Sequence, residues 1–214
     1  MKEKVKNCDK FSKSRPIFIG IDEAGRGPLA GPVSVGAFAV RSRSVLRKFK
    51  GVKESKQLSE AQREVWFKEI KRLHRSGEIA FAVSFSSEKV IDDRGITYAV
   101  YSAIRRSLKK LTKRNFCTDD SVILLDGLLH APKAFKNQKT IIGGDESEPL
   151  IALASICAKV LRDHKMCRIA KLYPEYGFEL HKGYGTKMHL GSIKKNGILA
   201  IHRRSYLKGV TGPF

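Results

Sequence analysis

The apolar positions along the chain fall into blocks with two different periods. Residues 17–21 form a β-rich apolar run, Ile17-Phe18-Ile19-Gly20-Ile21, which predicts a strand. It stops at Asp22-Glu23. Gly25, Gly27, Pro28, Gly31 and Pro32 follow, and that is turn chemistry. Residues 33–40 predict a second strand. Ser59 with Gln62 three residues on is a capping-box signature. The helix it opens, to about His74, carries Trp66, Ile70 and Leu73 on one face. Ile79, Phe81, Val83 and Phe85 then alternate with Ala80, Ala82 and Ser84, a period of two that predicts a strand. Ile96, Val100, Ile104 (or Ala103), Ser107 and Leu111 recur at helical spacing. Two short apolar segments, residues 122–125 and 140–142, predict buried strands. They end at Asp126-Gly127 and at Gly143-Gly144-Asp145. A long helix from Pro149 to about Leu172 and a short one from about Met188 to Asn196 complete the pattern. The order strand, strand, helix, strand, helix, strand, strand, helix predicts one α/β domain. No internal repeat interrupts it.

Composition narrows the class. A chain of 214 residues with 42% hydrophobic residues can build its own core without staples. No run reaches the ~20 apolar residues that span a bilayer. Residues 1–15 are charged, lack the apolar stretch of a secretory signal, and read as a flexible basic tail. Residues 16–214 then form one domain, with a helical segment at about 173–214. The four cysteines, Cys8, Cys117, Cys157 and Cys167, have no metal-binding spacing. They read as free thiols, which predicts a reducing, cytoplasmic setting; Cys157 and Cys167 fit core packing on the long helix. The formal charge of +21 changes the picture most. Such a surplus exceeds what solubility needs, and phosphate backbones are its commonest partner. The basic clusters at 41–50 and 105–114 lack an aromatic face that would embed in a membrane.

Against that positive field, three predicted strands end in acids: Asp22-Glu23, Asp126 and Asp145. Sites in α/β sheets gather at strand ends, where side chains leave the buried sheet. Carboxylates clustered in a basic protein make electrostatic sense around divalent cations, and oxygen donors suit Mg²⁺ or Mn²⁺. Two such ions can activate water and stabilise the leaving oxygen of a phosphodiester. Taken singly, each acid has a plainer reading, because Asp before Gly is common in turns and Asp at a helix start is a common cap.

The segment Gly20-Ile21-Asp22-Glu23-Ala24-Gly25-Arg26-Gly27-Pro28-Leu29-Ala30-Gly31-Pro32-Val33 resembles the signature of the ribonuclease HII family. Further blocks resemble that family in order: Glu54-Ser55-Lys56-Gln57-Leu58-Ser59, Leu125-Asp126-Gly127, Gly144-Asp145, and the run from Ala154 to Asp163. Tyr176-Gly177-Phe178, His181-Lys182-Gly183-Tyr184-Gly185-Thr186-Lys187 with His189, and Ile201-His202-Arg203-Arg204-Ser205-Tyr206 close the series. The resemblance implies a ribonuclease H-like fold: a mixed five-stranded sheet flanked by helices, with a small helical C-terminal part. It implies cleavage of RNA in RNA–DNA hybrids and incision 5′ of single ribonucleotides in duplex DNA, leaving 5′-phosphate and 3′-hydroxyl ends. It implies a monomer and two Mg²⁺ or Mn²⁺ ions held by Asp22, Glu23, Asp126 and Asp145. Glu54 departs from the family's usual Asp.

The same resemblance assigns substrate contacts. Gly25, Arg26 and Gly27 would approach a sugar closely, since glycine has no Cβ in the way, and the 2′-hydroxyl separates RNA from DNA. Tyr184 resembles the tyrosine that stacks on the following deoxynucleotide's sugar. Ser55 and Lys56 would position a phosphate. Ser155, Lys159 and Arg162 share one helix face, either a phosphate-facing ridge or a solvated one. Asp163 reads as a neighbour of the site or a surface acid. His181, His189 and His202 read as hydrogen-bonded structural imidazoles. Two alternatives stay open: a basic nucleic-acid-binding protein without catalysis, and another two-metal nuclease on the same fold.

Overall fold

The computed structural model describes residues 16–53 and 55–208. The basic tail at 1–15 and the departure at Glu54 lie outside the described residues, as do residues 209–214. β1 (Phe18–Ala24) and β2 (Val33–Val40) form an antiparallel pair across the glycine-rich turn. A 3₁₀ turn at Arg43–Phe49, within a stretch notable in sequence only for its charge, leads to α1 (Glu60–Arg75). Ser59 caps α1 with the reciprocal Gln62 bond that the sequence predicts. β3 (Ile79–Ser86) and α2 (Glu88–Thr112) follow, then β4 (Val122–Asp126) and β5 (Gln138–Ile141). A single turn, α3 (Gly144–Ser147), precedes the long α4 (Pro149–Ala170). The C-terminal part holds α5 (Phe178–His181), α6 (Lys187–Asn196) and α7 (Arg204–Leu207).

The strand order is β3-β2-β1-β4-β5. β1 runs parallel to β4, β4 parallel to β5, and the other two pairings are antiparallel, so the sheet is mixed and five-stranded. α2 covers one face and α1 with α4 the other, giving two cores on either side of a sheet whose strand β2, between β3 and β1, is buried throughout. The fold class therefore agrees with the sequence reading, but β5 is an edge strand where the sequence predicts a buried strand at 140–142. It is half-buried or exposed along its length, with Ile142 exposed after it, because β4 pairs with it on one side alone.

One contact decides where the site forms. Gly20 on β1 and Gly36 on β2 lie under α4, and a Cβ on either would meet α4 backbone at 2.2 Å. The missing side chains let α4 lie directly on the sheet. Ser155 thereby comes against the C-terminal end of β1. The C-terminal helices build a third, smaller core around Tyr176, Phe178, Met166 and Ile193, against Leu29 and Ala30 of the glycine loop.

Candidate active site

β1 and β4 are parallel neighbours in register up to Ile21 and Leu125, so the next residues, Asp22 and Asp126, emerge side by side at the same sheet end. Asp145 lies on the turn just after β5, and the Gly144 amide donates to Asp126 Oδ1 at 2.8 Å. The structure thus brings Asp22, Glu23, Asp126 and Asp145 to one place, as their positions at strand ends predict.

Each carboxylate is engaged by its own donor. Asp22, only 4% exposed, accepts hydrogen bonds from the Ser155 hydroxyl and the Glu23 amide. Glu23 pairs with Arg26 at 3.2 Å. Asp145 pairs with the exposed Lys56 ammonium at 3.2 Å. Among the described residues no three acidic, histidine or cysteine side chains converge into a ligand sphere. Their protonation shows the strain of the grouping. Burial, then the charges of Glu23 and Asp126, hold Asp22 well above the usual carboxylate range. Burial raises Glu23 as well, with Arg26 opposing the rise, and Asp126 is raised by burial and by the charge of Asp145. Carboxylates that repel one another at a sheet end are stabilised by added positive charge. Four hard oxygen-donor side chains fit Mg²⁺ or Mn²⁺ and would not select a soft metal.

The neighbouring wall is made differently. Gly25 has φ 85°, in the left-handed region, and a Cβ there would sit 1.9 Å from Arg162 Nε. Arg162 and Arg203 are both 0% exposed, and no acidic side chain lies within ion-pair distance of either among the described residues. They bond to backbone carbonyls instead. Arg203 donates to Gly31, Arg26 and Gly25 at 3.0, 2.8 and 2.7 Å. Arg162 donates to Pro32, Lys182 and Ala30 at 2.9, 3.0 and 3.3 Å. Gly183 O accepts from the Leu29 and Ala30 amides, and Arg203 N donates to Leu29 O. Tyr184 is 42% exposed, and its ring centroid lies 5.9 Å from both Lys159 Nζ and the Arg162 guanidinium carbon.

Several sequence readings gain a definite place here. Arg26 and Gly27 are exposed beside the acids, and Gly25 is buried. The Ser55 hydroxyl turns inward to Ser155 at 2.7 Å, so its side chain supports Asp22's partner, while Lys56 reaches the acids. Ser155 and Arg162 are buried, so the helix stripe is neither a phosphate ridge nor a solvated face; the loop and α5 cover it. Asp163 is a buried anchor, bonded to Lys159 at 2.9 Å and 3.9 Å from Arg63. The histidines are buried and hydrogen-bonded, as the sequence reading has it. The role of Arg203 escapes sequence reasoning. Its only signal is a place inside a specific motif, and nothing local tells that its partners lie more than 170 positions away.

No helix among the described residues is long and apolar enough to cross a membrane. Comparison with known proteins agrees with the geometry. The family model described as Ribonuclease HII matches residues 19–208. The Ribonuclease HII of Endomicrobium trichonymphae is 43% identical over 187 residues, covering 87% of this chain and 83% of that protein. That of Caldicellulosiruptor bescii is 40% identical over 191 residues, 89% of this chain and 86% of that protein. A chain of the solved PCNA:RNase HII complex from Archaeoglobus fulgidus has a similar fold, with TM-score 0.71 at 24% identity over 92% of this chain and 98% of that one.

Proposed function

The chain belongs to the ribonuclease HII family, endoribonucleases that cleave the RNA of RNA–DNA hybrids, and from that premise we propose that it also incises duplex DNA 5′ of a single embedded ribonucleotide. The observation that carries this reading is the pairing of two walls at one sheet end. Four mutually repelling carboxylates stand beside a loop whose amides are free to meet a sugar.

Asp22, Glu23, Asp126 and Asp145 would hold two Mg²⁺ or Mn²⁺ ions, which when bound supply Lewis-acid polarisation of the scissile phosphate and an activated water. The chain's own groups do the rest. Ser155 fixes the Asp22 carboxylate, and the Gly144 amide fixes Asp126. Lys56, which rests against Asp145, offers its ammonium to the phosphate backbone. In a trans peptide the carbonyl and the following N–H point in opposite directions. Arg203 draws the Gly25 and Arg26 carbonyls inward, so the Arg26 and Gly27 amides point outward. Neither amide has an acceptor among the described residues. These two donors, with Tyr184, read the ribose 2′-hydroxyl and the sugar that follows it. The unpaired Cys117, Cys157 and Cys167 support a reducing, cytoplasmic setting, and we take the enzyme to act as a monomer.

The test is cleavage of three labelled duplexes: an RNA–DNA hybrid, DNA with one internal ribonucleotide, and all-DNA. Each is run with Mg²⁺, with Mn²⁺ and with EDTA. A metal-dependent nick 5′ of the ribonucleotide, leaving a 3′-hydroxyl and absent from all-DNA, is expected. Cleavage of the hybrid alone would remove the single-ribonucleotide activity, and cleavage of all-DNA would remove the sugar readout.

A further inference from the structure

Behind Tyr184 three buried imidazoles are linked by bonds that fix each tautomer. The Leu199 amide donates to His202 Nδ1 at 2.8 Å, so Nδ1 is the acceptor and the proton of His202 sits on Nε2. His202 Nε2 lies 3.1 Å from His189 Nε2. With His202 donating, His189 Nε2 must accept, and its own proton sits on Nδ1. That atom is 2.9 Å from the Tyr184 carbonyl, to which it donates. His181 closes the group. It accepts the Gly183 amide on Nδ1 at 3.2 Å and donates from Nε2 to the Tyr176 carbonyl at 2.8 Å. Its ring stacks on His189 at 4.5 Å between centroids. Every nitrogen is engaged, with the shorter Leu199 amide bond to His202 Nδ1 outweighing that atom's 3.3 Å contact with the Leu199 carbonyl, and the chain of donors runs from the 199–202 turn to the backbone of the exposed tyrosine.

We propose that His189 and His202 are positioning residues which, in this one uncharged tautomeric arrangement, hold the Tyr184 backbone and hence its ring beside the Gly25–Gly27 loop. The proposal rests on the reading of Tyr184 as a substrate contact. An added proton breaks the arrangement. On His189 Nε2 it would set one N–H against another, and on His202 Nδ1 it would displace the 2.8 Å Leu199 amide bond in exchange for a 3.3 Å contact with the Leu199 carbonyl. No carboxylate compensates. His189 is packed between His181, His202 and Phe178. On its far side, His202 borders a shallow cavity lined by Lys89, Asp92, Asp93, Arg204 and Lys208, where Asp92 is already taken by the Arg204 and Ser205 amides. Burial accordingly lowers His202 and brings His189 down to about 4.

The test has two independent readings. Long-range ¹H–¹⁵N NMR of the full chain at pH 7.5, with histidines assigned by single variants, is expected to show Nδ1–H at His189 and Nε2–H at His181 and His202. An Nε2–H or a charged ring at His189 overturns the relay without any substrate. His189→Phe keeps a ring of similar size and removes the bond to Tyr184. Its KM for the single-ribonucleotide duplex is expected to rise about tenfold with kcat within about twofold, the scale of one lost hydrogen bond. His189→Asn can still donate from the Nδ1 position and is expected to restore most of that loss. It is also expected to flatten the rise of KM that the wild type shows as pH falls towards about 4, where His189 takes up its proton. A folded His189→Phe variant with wild-type KM overturns the positioning role. A wild type that shows no preference for the ribonucleotide duplex overturns the reading of Tyr184 instead, and the NMR result then still judges the relay.

Discussion

The two walls of the site meet at one sheet end, yet opposite means hold them. The acidic wall is local: Asp22, Asp126 and Asp145 sit where β1, β4 and β5 run out, and their mutual charge opposes the fold that groups them. The reading wall is assembled from distant parts of the chain. Arg162, Arg203 and the histidines tie residues 25–32 to 182–185 and 199–203 through backbone carbonyls and amides. Chemistry that needs cations tolerates carboxylates that repel one another without them. Discrimination between two sugars needs atoms held in place, which buried, fully bonded side chains provide.

The largest expected difference comes from the acidic wall. Asp126→Asn should lower kcat by about 10³-fold, the scale for losing a group that stabilises charge in the transition state. Duplex affinity should stay the same or tighten. Asn can still accept the Gly144 amide while removing a charge that burdens Asp22, so in EDTA the variant should melt higher by about 2 °C or more, roughly the effect of 1 kcal/mol in a chain this long. Calorimetry beside steady-state kinetics checks both halves; a lower melting temperature would contradict the repulsion.

Next is Arg203→Met. Two buried carbonyls, Gly25 and Gly31, lose their donor, at about 1–3 kcal/mol each before relaxation, while Arg26 keeps the Tyr206 hydroxyl. Melting should fall by roughly 10 °C, and preference for ribonucleotide over deoxynucleotide should disappear. Arg203→Lys keeps the charge without the fork and should recover stability in part and preference hardly at all. Recovery of preference by Lys would mean that charge, not geometry, sets the wall.

The pH dependence comes third. A histidine whose folded pKa lies below its unfolded value binds a proton more readily when unfolded. Stability is then full above about 6.5 and declines as pH falls towards about 4, the value His189 is brought to. The raised carboxylates act with the opposite sign over the same range, so the histidine part is read as a difference: in thermal melts from pH 7 to pH 4, His189→Asn should lose less stability than the wild type. The smallest effect belongs to Arg26→Ala. The side chain is half exposed and, among the described residues, pairs with Glu23 alone, so stability should change by less than about 0.5 kcal/mol. KM should rise less than about threefold if, as proposed, that loop meets the sugar with its backbone. A large rise would move the readout from the amides to the guanidinium.

This contrast also explains what could be read from the chain alone. Asp22, Asp126 and Asp145 end apolar runs, and the runs themselves place them, so strand periodicity was enough to nominate them. Ser59 and Gln62 set the start of α1 by the same local logic. Arg162 defeats such reading. Its neighbours on the helix face, Ser155 and Lys159, suggest water, and only the glycine loop packed over α4 makes the position interior. Ser55 likewise stands next to an exposed lysine yet bonds a serine 100 positions away. The histidine tautomers depend on Leu199, Tyr184 and Gly183 meeting in space, which no spacing announces.

One measurement bears most directly on the division of labour between the walls. Fluorescence anisotropy with the single-ribonucleotide duplex and its all-DNA counterpart, at fixed salt, would compare the wild type, Asp126→Asn and Arg203→Met, each verified as folded. Asp126→Asn should keep the wild-type preference for the ribonucleotide duplex although it no longer cleaves, and Arg203→Met should bind both duplexes alike. Loss of preference in Asp126→Asn, or its survival in Arg203→Met, would contradict the separation of cutting from reading.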